Sequence, residues 1–297
     1  MKIGYPCMNK TINCGVKTFR LASYSETRLM EDVKSNLESL QSMLKYNVKE
    51  NMMFFRISSD LIPFASHPIN QFNWREHFKK ELTSIGDYIK TNNIRISMHP
   101  DQFVLINSLK DDVVTKSIGD LTWHCHFLDS MGLDKDAKVQ IHVGGMYGDR
   151  DDAIRRFVNA YNLLPDLIKK RLVIENDDRL FTLKDCMQIS DEVGIPIIFD
   201  NFHNECNNNG ETNSEAIKIF SRSWKKEDGI PMVDYSSQAI GERKGKHNSH
   251  IDIEHFRRFL EETTGSDFDI ILEIKDKEIS AKEAIATANK LNRLVVK

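Results

Sequence analysis

The feature that most constrains this chain is an alternation, repeated eight times, between a short apolar, β-branched run and a longer amphipathic stretch. The runs predict strands at positions 2–6, 54–58, 95–99, 139–143, 172–175, 197–200, 232–235 and 270–274. The amphipathic stretches predict helices at about 25–46, 75–91, 111–131, 151–169, 182–193, 213–222, 252–263 and 279–292. Alternating β and α elements favour parallel strands with right-handed crossovers. Eight such units predict an α/β fold that closes into a (β/α)8 (TIM) barrel.

An open, doubly wound parallel sheet is the structural alternative to a barrel. No predicted strand is followed by a G-x-G-x-x-G turn, and Gly144–Gly145 is only a pair. No Pro/Gly/Ser-rich linker divides the chain. A barrel typically takes ~250 residues, so residues 1–297 are interpreted as a single barrel domain.

Composition limits the choice of compartment and partner. The net charge is −3, so nucleic acid could be attracted only by a local basic patch. The five cysteines include no C-x-x-C pair, which is typical of reduced intracellular thiols. The sequence has neither a signal-peptide pattern nor a long apolar run, so we expect a cytoplasmic protein without membrane contact.

Metal-ligand side chains recur at the ends of the predicted strands. They are His99, His142, Glu175, Asp200, Asp234 and Glu273, together with His203 and His247 in the following loops. One such residue alone is more often a hydrogen-bonded, ion-paired or helix-capping group. In a barrel, however, all eight converge on one face, and burying them without cations would be strongly unfavourable. The set therefore predicts bound divalent ions.

The remaining histidines are interpreted as structural. His124 and His126 point to different faces of a predicted helix, which favours packing or surface roles. His67, His77 and His255 are predicted to be surface residues, and His250 a helix-entry residue.

A metal cluster of this kind suits phosphodiester hydrolysis by a metal-activated water. The sequence offers no defensible Ser-His-Asp order and no cysteine nucleophile. Basic residues in loops on the same face could bind phosphates, although loop cations are often simply solvated. They are Lys10, Lys17 and Arg20 after the first strand, Arg150 after the fourth, and Arg243, Lys244 and Lys246 after the seventh.

Six motifs, in this order and spacing, resemble the UV damage endonuclease family, whose members are barrels related to endonuclease IV. They are Gly4-Tyr5-Pro6-Cys7-Met8-Asn9, Phe55-Arg56-Ile57-Ser58-Ser59, His99-Pro100-Asp101-Gln102-Phe103, His142-Val143-Gly144-Gly145, Glu175-Asn176-Asp177 and Phe199-Asp200-Asn201-Phe202-His203. The resemblance spans most of the chain. It implies an enzyme that nicks damaged double-stranded DNA immediately 5′ of pyrimidine dimers and 6-4 photoproducts, and in some members at abasic sites.

The resemblance also implies roles for individual residues. His99, His142 and Glu175 resemble the ligands of one ion, with Glu175 bridging to a second ion held by Asp200 and Glu273. His203 and His247 resemble ligands of a third. Glu175, Asp200 and Glu273 would be the catalytic carboxylates. Gln102 and Phe103 match a pair that wedges into the duplex, and Tyr5 and Asn9 match residues that line the lesion pocket.

The sequence departs from the family pattern near strand seven. Better-known members have a lysine, which can carry a carboxylate modification, and then a histidine; here Met232 and Asp234 stand in those positions. Asp234 would favour Mn or Mg over Zn as the bound metal. Phe103 stands where the usual residue is a tyrosine and lacks its hydroxyl group.

Three functions fit these patterns. The first is an endonuclease with up to three divalent ions, Mn preferred and Zn or Mg as alternatives, and no obligate protein partner. The second is a metal-dependent sugar isomerase or epimerase on the same barrel. The third is a non-catalytic, metal-stabilised DNA-binding protein. The Gln102–Phe103 segment and the extra His203/His247 pair favour the first over the second.

Overall fold

Eight parallel strands form a closed barrel in the computed structural model, which describes residues 1–294. Each strand pairs with the next, and β1 pairs with β8 through Ile3↔Ile270 and Gly4↔Ile271 to close the ring. The predicted barrel is therefore confirmed. The strands are β1 Ile3–Pro6, β2 Phe54–Ile57, β3 Arg95–Met98, β4 Lys138–His142, β5 Leu172–Glu175, β6 Ile197–Asp200, β7 Met232–Tyr235 and β8 Asp269–Leu272.

Eleven α-helices occur in the described range, most of them on the crossovers between strands. They are α1 Glu26–Lys49, α2 Trp74–His77, α3 Lys79–Thr91, α4 Asp111–Ser130, α5 Arg150–Leu163, α6 Asp166–Lys169, α7 Leu183–Val193, α8 Asn201–Cys206, α9 Asn213–Ser221, α10 Ile253–Glu262 and α11 Glu278–Lys290. Three short 3-10 helices lie at Leu21–Ser23, Ser59–Leu61 and Lys226–Asp228.

Two side-chain layers follow from the two-residue period of the strands. One set of alternate residues packs outward against the helices in the main core, for example Phe55, Ile96 and Phe199. The other set points into the barrel. Its middle layer is apolar and consists of Phe54, Val173, Ile198, Met232 and Ile271.

Charged residues lie in the barrel on both sides of this apolar layer. Toward the amino-terminal ends of the strands, Arg95 pairs with Asp269 at 3.0 Å, and Lys138 pairs with Asp228 at 2.5 Å. Toward the carboxyl-terminal ends lie the predicted ligands. The apolar layer thus separates one ionic layer from the other.

No helix among the described residues is long and apolar enough to cross a membrane.

Candidate metal centre

The ends of β3, β4 and β5 bring two histidines onto one carboxylate. Oε1 of Glu175 lies 2.7 Å from Nε2 of His142 and 3.2 Å from Nε2 of His99. His142 and Glu175 are register partners across the β4–β5 pair, which explains their contact. One ligand atom from each of the three residues falls within a 4.8 Å group that could hold a metal ion.

Glu175 also belongs to a second group, which it shares with Asp200 and His203. Asp200 ends β6 and caps α8, where its Oδ1 accepts a hydrogen bond from the backbone N–H of His203 at 2.7 Å. This cap holds His203 in the first turn of α8, at the carboxyl-terminal end of the barrel. Since Glu175 joins both groups, the bridging arrangement implied by the family resemblance is geometrically possible.

Backbone carbonyls orient three of the histidine rings. The Nδ1 atoms of His99, His203 and His247 lie 2.9, 3.1 and 3.0 Å from the carbonyl oxygens of Pro100, Asn176 and Glu273, respectively. When Nδ1–H donates to a carbonyl, the lone pair of the neutral imidazole is on Nε2 and is available to a metal ion. This is the usual arrangement of metal-binding histidines.

The ionisable groups of this region strongly shift one another's pKa values. Burial alone would raise the pKa of Glu175, but His142 and His99 hold it well below its usual value. Burial would lower the pKa of His142, and Glu175 raises it to about 9. Burial raises the pKa of Asp200 well above its usual value, opposed by His203. Such perturbation is typical of functional sites.

Asp234 lies next to Asp200 as its register partner across the β6–β7 pair, but it belongs to neither compact group. Its Oδ1 is 2.5 Å from the Arg56 guanidinium, and its Oδ2 accepts a hydrogen bond from Gln140 Nε2 at 2.6 Å. Arg56 also pairs with Glu273 at 2.5 Å. Protein partners contact both oxygens of this fully buried carboxylate, as they also do for Glu175, so the role of Asp234 as a metal ligand stays a prediction.

Glu273 and His247 face the opening of the barrel on its β8 side. Burial would raise the pKa of Glu273, but Arg56 lowers it to about 2. The His247 ring is 5.8 Å from the His203 ring, centroid to centroid. Neither Glu273 nor His247 joins the two compact groups, so their assignment to further ions stays a prediction.

The loop after β3 presents the predicted wedge. Gln102 and Phe103 are both exposed, and Phe103 has 72% of its surface open to solvent. Phe103 therefore lies outside the apolar core, whereas the next residue, Val104, is buried.

The loop after β4 lies against this wedge loop. A Cβ added to Gly144 would lie 2.2 Å from Leu105, and one added to Gly145 would lie 2.3 Å from Asn107. Both glycines also have positive φ, near +60°, so the approach requires glycine twice. Asn107 Nδ2 donates to the Gly144 carbonyl at 2.7 Å and ties the loops together.

Tyr5 and Asn9 do not line an open pocket. Tyr5 has none of its surface exposed and Asn9 has 1%. The Tyr5 hydroxyl donates to Asn47 Oδ1 of α1 and accepts from Asn9 Nδ2, each at 2.7 Å. Tyr5 lies between inward-facing neighbours and so points outward to the helices. Both residues pack behind the loop in this structure, and their contact with a lesion stays a prediction.

The predicted basic residues differ in their surroundings. Arg243 and Lys246 line a cleft beside His247 and Glu273. Lys244 is exposed and does not line this cleft. Arg150 begins α5 and pairs with Asp185 at 3.4 Å, which partly neutralises it.

Sequence reasoning missed several residues that support the site. Arg56 and Gln140 lie inside the barrel, and the two-residue spacing that separates each from the other inward-facing residues of its strand was the available signal. Ser59 donates to the His99 carbonyl at 2.6 Å, and His124 Nε2 lies 3.0 Å from Ser59 Oγ. The buried His124 is therefore a packing residue, as one of the two readings predicted.

The donor set fits divalent ions. Imidazole nitrogens and carboxylate oxygens are suitable ligands for Zn, Mn or Fe. Among residues 1–294, the buried Oδ2 of Asp200 has no hydrogen-bond partner, as expected of an oxygen that awaits a cation. Four carboxylates, from Glu175, Asp200, Asp234 and Glu273, share this region with one arginine.

Comparison with known proteins identifies the family. The profile of the family described as "UV-endonuclease UvdE" matches residues 1–295. The chain belongs to the UvdE family. A UV DNA damage endonuclease of Clostridium perfringens is 44% identical over 296 residues, 99% of this chain and 72% of that protein. One of Bacillus thuringiensis is 34% identical over 262 residues, 88% of this chain and 83% of that protein.

Solved structures agree with this membership of the UvdE family. The crystal structure of SacUVDE has a TM-score of 0.95 and 46% identity, covering 99% of this chain and all of that one. Endonuclease IV of Thermus thermophilus reaches a TM-score of 0.61 at 11% identity, covering 99% and 100%. A D-psicose 3-epimerase reaches 0.55 at 13% identity, covering 86% and 94%. The last two likenesses concern the fold alone.

Proposed function

We propose that this member of the UvdE family is a metal-dependent DNA-repair endonuclease that cuts the backbone immediately 5′ of UV photoproducts, with abasic sites as further substrates. The observation that carries the proposal is the convergence of His99 and His142 on Glu175, which Asp200 and His203 extend into a second group. Membership of the family and the names of its relatives support the choice of damaged duplex DNA as substrate.

Two divalent ions would be held by these five side chains, with Glu175 as the shared ligand. Bound there, they would supply the positive charge that neutralises phosphodiester oxygens and the lowered water pKa that hydrolysis needs. Mn remains our preferred metal, with Zn and Mg as alternatives. A third ion at His203 and His247, as the family resemblance implies, is a weaker part of the proposal.

The protein side chains would do the positioning. Gln140 donates to the second oxygen of Glu175, which fixes the plane of that carboxylate. Arg56 holds Glu273 at the cleft wall. The backbone carbonyls that bind Nδ1 keep three imidazoles turned toward the cluster. Preorganisation of this kind lowers the reorganisation needed during reaction.

Lesion selection would come from the wedge of Gln102 and Phe103. A photodimer stacks and pairs weakly, so extruding it costs less than extruding normal bases. The exposed Phe103 ring could stack in the gap, and Gln102 could hydrogen-bond to an orphaned base. Arg243, Lys244 and Lys246 would bind backbone phosphates without reading sequence.

The deciding experiment is a nicking assay. Purified protein and Mn are incubated with an end-labelled duplex carrying one pyrimidine dimer, beside undamaged and abasic duplexes. We expect a nick one bond 5′ of the dimer and none in the undamaged duplex. Turnover of a ketose, with intact DNA under every metal tested, would favour an epimerase instead.

The variant Glu175→Gln tests the role of Glu175 in metal binding separately from DNA binding. The amide keeps the size of the side chain but removes the charge that both groups share. We expect cleavage to fall by at least a thousandfold, on the order of the loss of a central catalytic group, while binding to damaged duplex survives. Normal cleavage by this variant would contradict the bridging role.

A further inference from the structure

A cleft of about 560 Å³ opens beside the metal centre, between the ends of β8 and β1. Its lining includes His247, Glu273 and Arg56, together with four cations from the loops after β7 and β8. They are Arg243, Lys246, Lys275 and Lys277. We call this feature the basic cleft. Of these four loop cations, only Arg243 and Lys246 were predicted from the sequence to bind phosphates.

Most of this charge is not compensated within the protein. Lys246 pairs with Glu242 at 2.6 Å. Arg243, Lys275 and Lys277 have no carboxylate within 4 Å among residues 1–294. Like charges that share a concave surface repel one another, and such a surface attracts and concentrates anions.

Lys277 is held there at a conformational cost. Its φ of 59° and ψ of −116° lie in a region that favours glycine. It immediately precedes α11, and its side chain is half-buried in the cleft. Burial lowers the pKa of Lys277, while Cys7 and Glu273 raise it. Strained backbone persists where the rest of the structure enforces it, and it clusters at functional sites.

We propose that Lys277, assisted by Arg243 and Lys275, binds a phosphodiester group of the DNA strand that lies next to the bond to be cut. The inference rests on the proposed function, which it deepens by assigning a phosphate subsite. The subsite shares the cleft with Glu273 and His247, so a phosphate bound there fixes the register of the strand against the metal centre. A backbone contact of this kind positions the strand without reading sequence.

The test compares Lys277→Met, Lys277→Gly and Lys277→Arg with Lys290→Met, which removes an exposed cation from the far end of the same helix. Binding to an undamaged duplex is measured without metal, as a function of salt. Losing one phosphate contact lowers the slope of log K against log salt by about 0.9 and weakens binding roughly eightfold at 0.1 M salt. We expect this loss in the Met and Gly variants, and near wild-type binding in the Arg and Lys290→Met variants.

Thermal unfolding provides the second readout. Glycine relieves the strain at this φ, so Lys277→Gly should unfold at a higher temperature than wild type while binding DNA more weakly. A variant that is more stable than wild type but binds DNA more weakly shows that Lys277 acts in binding rather than in folding. An unchanged salt slope in Lys277→Met would overturn the phosphate assignment, even if the wild type nicks dimer-containing DNA. Failure of the wild type to nick that DNA would instead remove the proposed function, whatever the slopes.

Discussion

At the scale of the residue, the centre is held by a buried guanidinium. Arg56 bridges Asp234 and Glu273, and the proximity of these two carboxylates raises its pKa above the usual value, against the opposite effect of burial. Removing one member of a buried ion pair leaves the other charge unpaired, which costs far more than the pair contributes. Arg95 makes a comparable pair with Asp269, on the other side of the apolar layer.

Arg56→Met should therefore lower the free energy of unfolding by about 3–5 kcal/mol and also weaken Mn²⁺ binding, because Glu273 loses its anchor. Arg95→Met should destabilise by a similar amount without changing Mn²⁺ affinity. Urea unfolding in EDTA and titration calorimetry with Mn²⁺ measure the two effects. Equal Mn²⁺ affinities in the two variants would refute the positioning role of Arg56.

Single residues show how far sequence reasoning reached at the site. The ends of predicted strands identified His99, His142, Glu175, Asp200 and His203, because a barrel brings all strand ends to one face. The alternation of a strand says which side chains point inward, but not which partner they meet across the barrel. The contact of Asp234 with Arg56 joins residues 178 positions apart and carries no local signal.

At the scale of the element, two segments fix the loop that carries His99. They are the short 3-10 helix after β2, which begins at Ser59, and helix α4. His124 of α4 is 1% exposed and contacts Ser59, whose hydroxyl holds the His99 carbonyl. Burial lowers the pKa of His124 to about 4, with the charge of Asp120 opposing this shift. The folded protein therefore binds a proton at His124 less readily than the unfolded chain.

This difference predicts a pH dependence of stability. With a folded pKa of about 4 and an unfolded pKa near 6.5, the contribution of His124 is fully present above pH 6.5 and is lost as the pH falls toward 4. Between pH 7 and 5 the loss is about 2 kcal/mol. His124→Gln should lack this part of the pH dependence, whereas the exposed His67→Gln should follow the wild type. Urea unfolding at both pH values measures the difference, and parallel behaviour of His124→Gln and wild type would count against the burial effect.

The elements themselves were largely predictable. All eight strands lie within two residues of the predicted bounds, since short β-branched runs between helical patterns are distinctive. The helix predicted at 151–169 is divided by Pro165, because the residue before a proline avoids helical geometry. Helix α8 was not predicted, since its apolar period is too short and Asp200 as a cap is its main signal.

At the scale of the whole molecule, closure of the barrel concentrates acidic groups that the unfolded chain keeps apart. Ligands that bind only the folded state stabilise it by mass action. Mn²⁺ at a hundredfold excess over its dissociation constant should add about 2.7 kcal/mol per site. For a chain of this size that corresponds to a rise in melting temperature of roughly 4 °C per site.

Glu175→Gln should lose most of this rise, because Glu175 belongs to both candidate groups. Differential scanning fluorimetry with and without Mn²⁺ measures the shift. A full shift in the variant would mean that Mn²⁺ binds elsewhere on the protein.

The two glycines after β4 have a mechanical consequence. Gly144 and Gly145 leave room for the side chains of Leu105 and Asn107, so a side chain at either glycine position would displace the loop after β3 from the loop after β4. Phe103 stands near the tip of the first loop, and His142 ends the strand that leads into the second. We therefore expect contact of a duplex with Phe103 to affect the end of β4, where the candidate ligand His142 lies, through two residues that have no side chain.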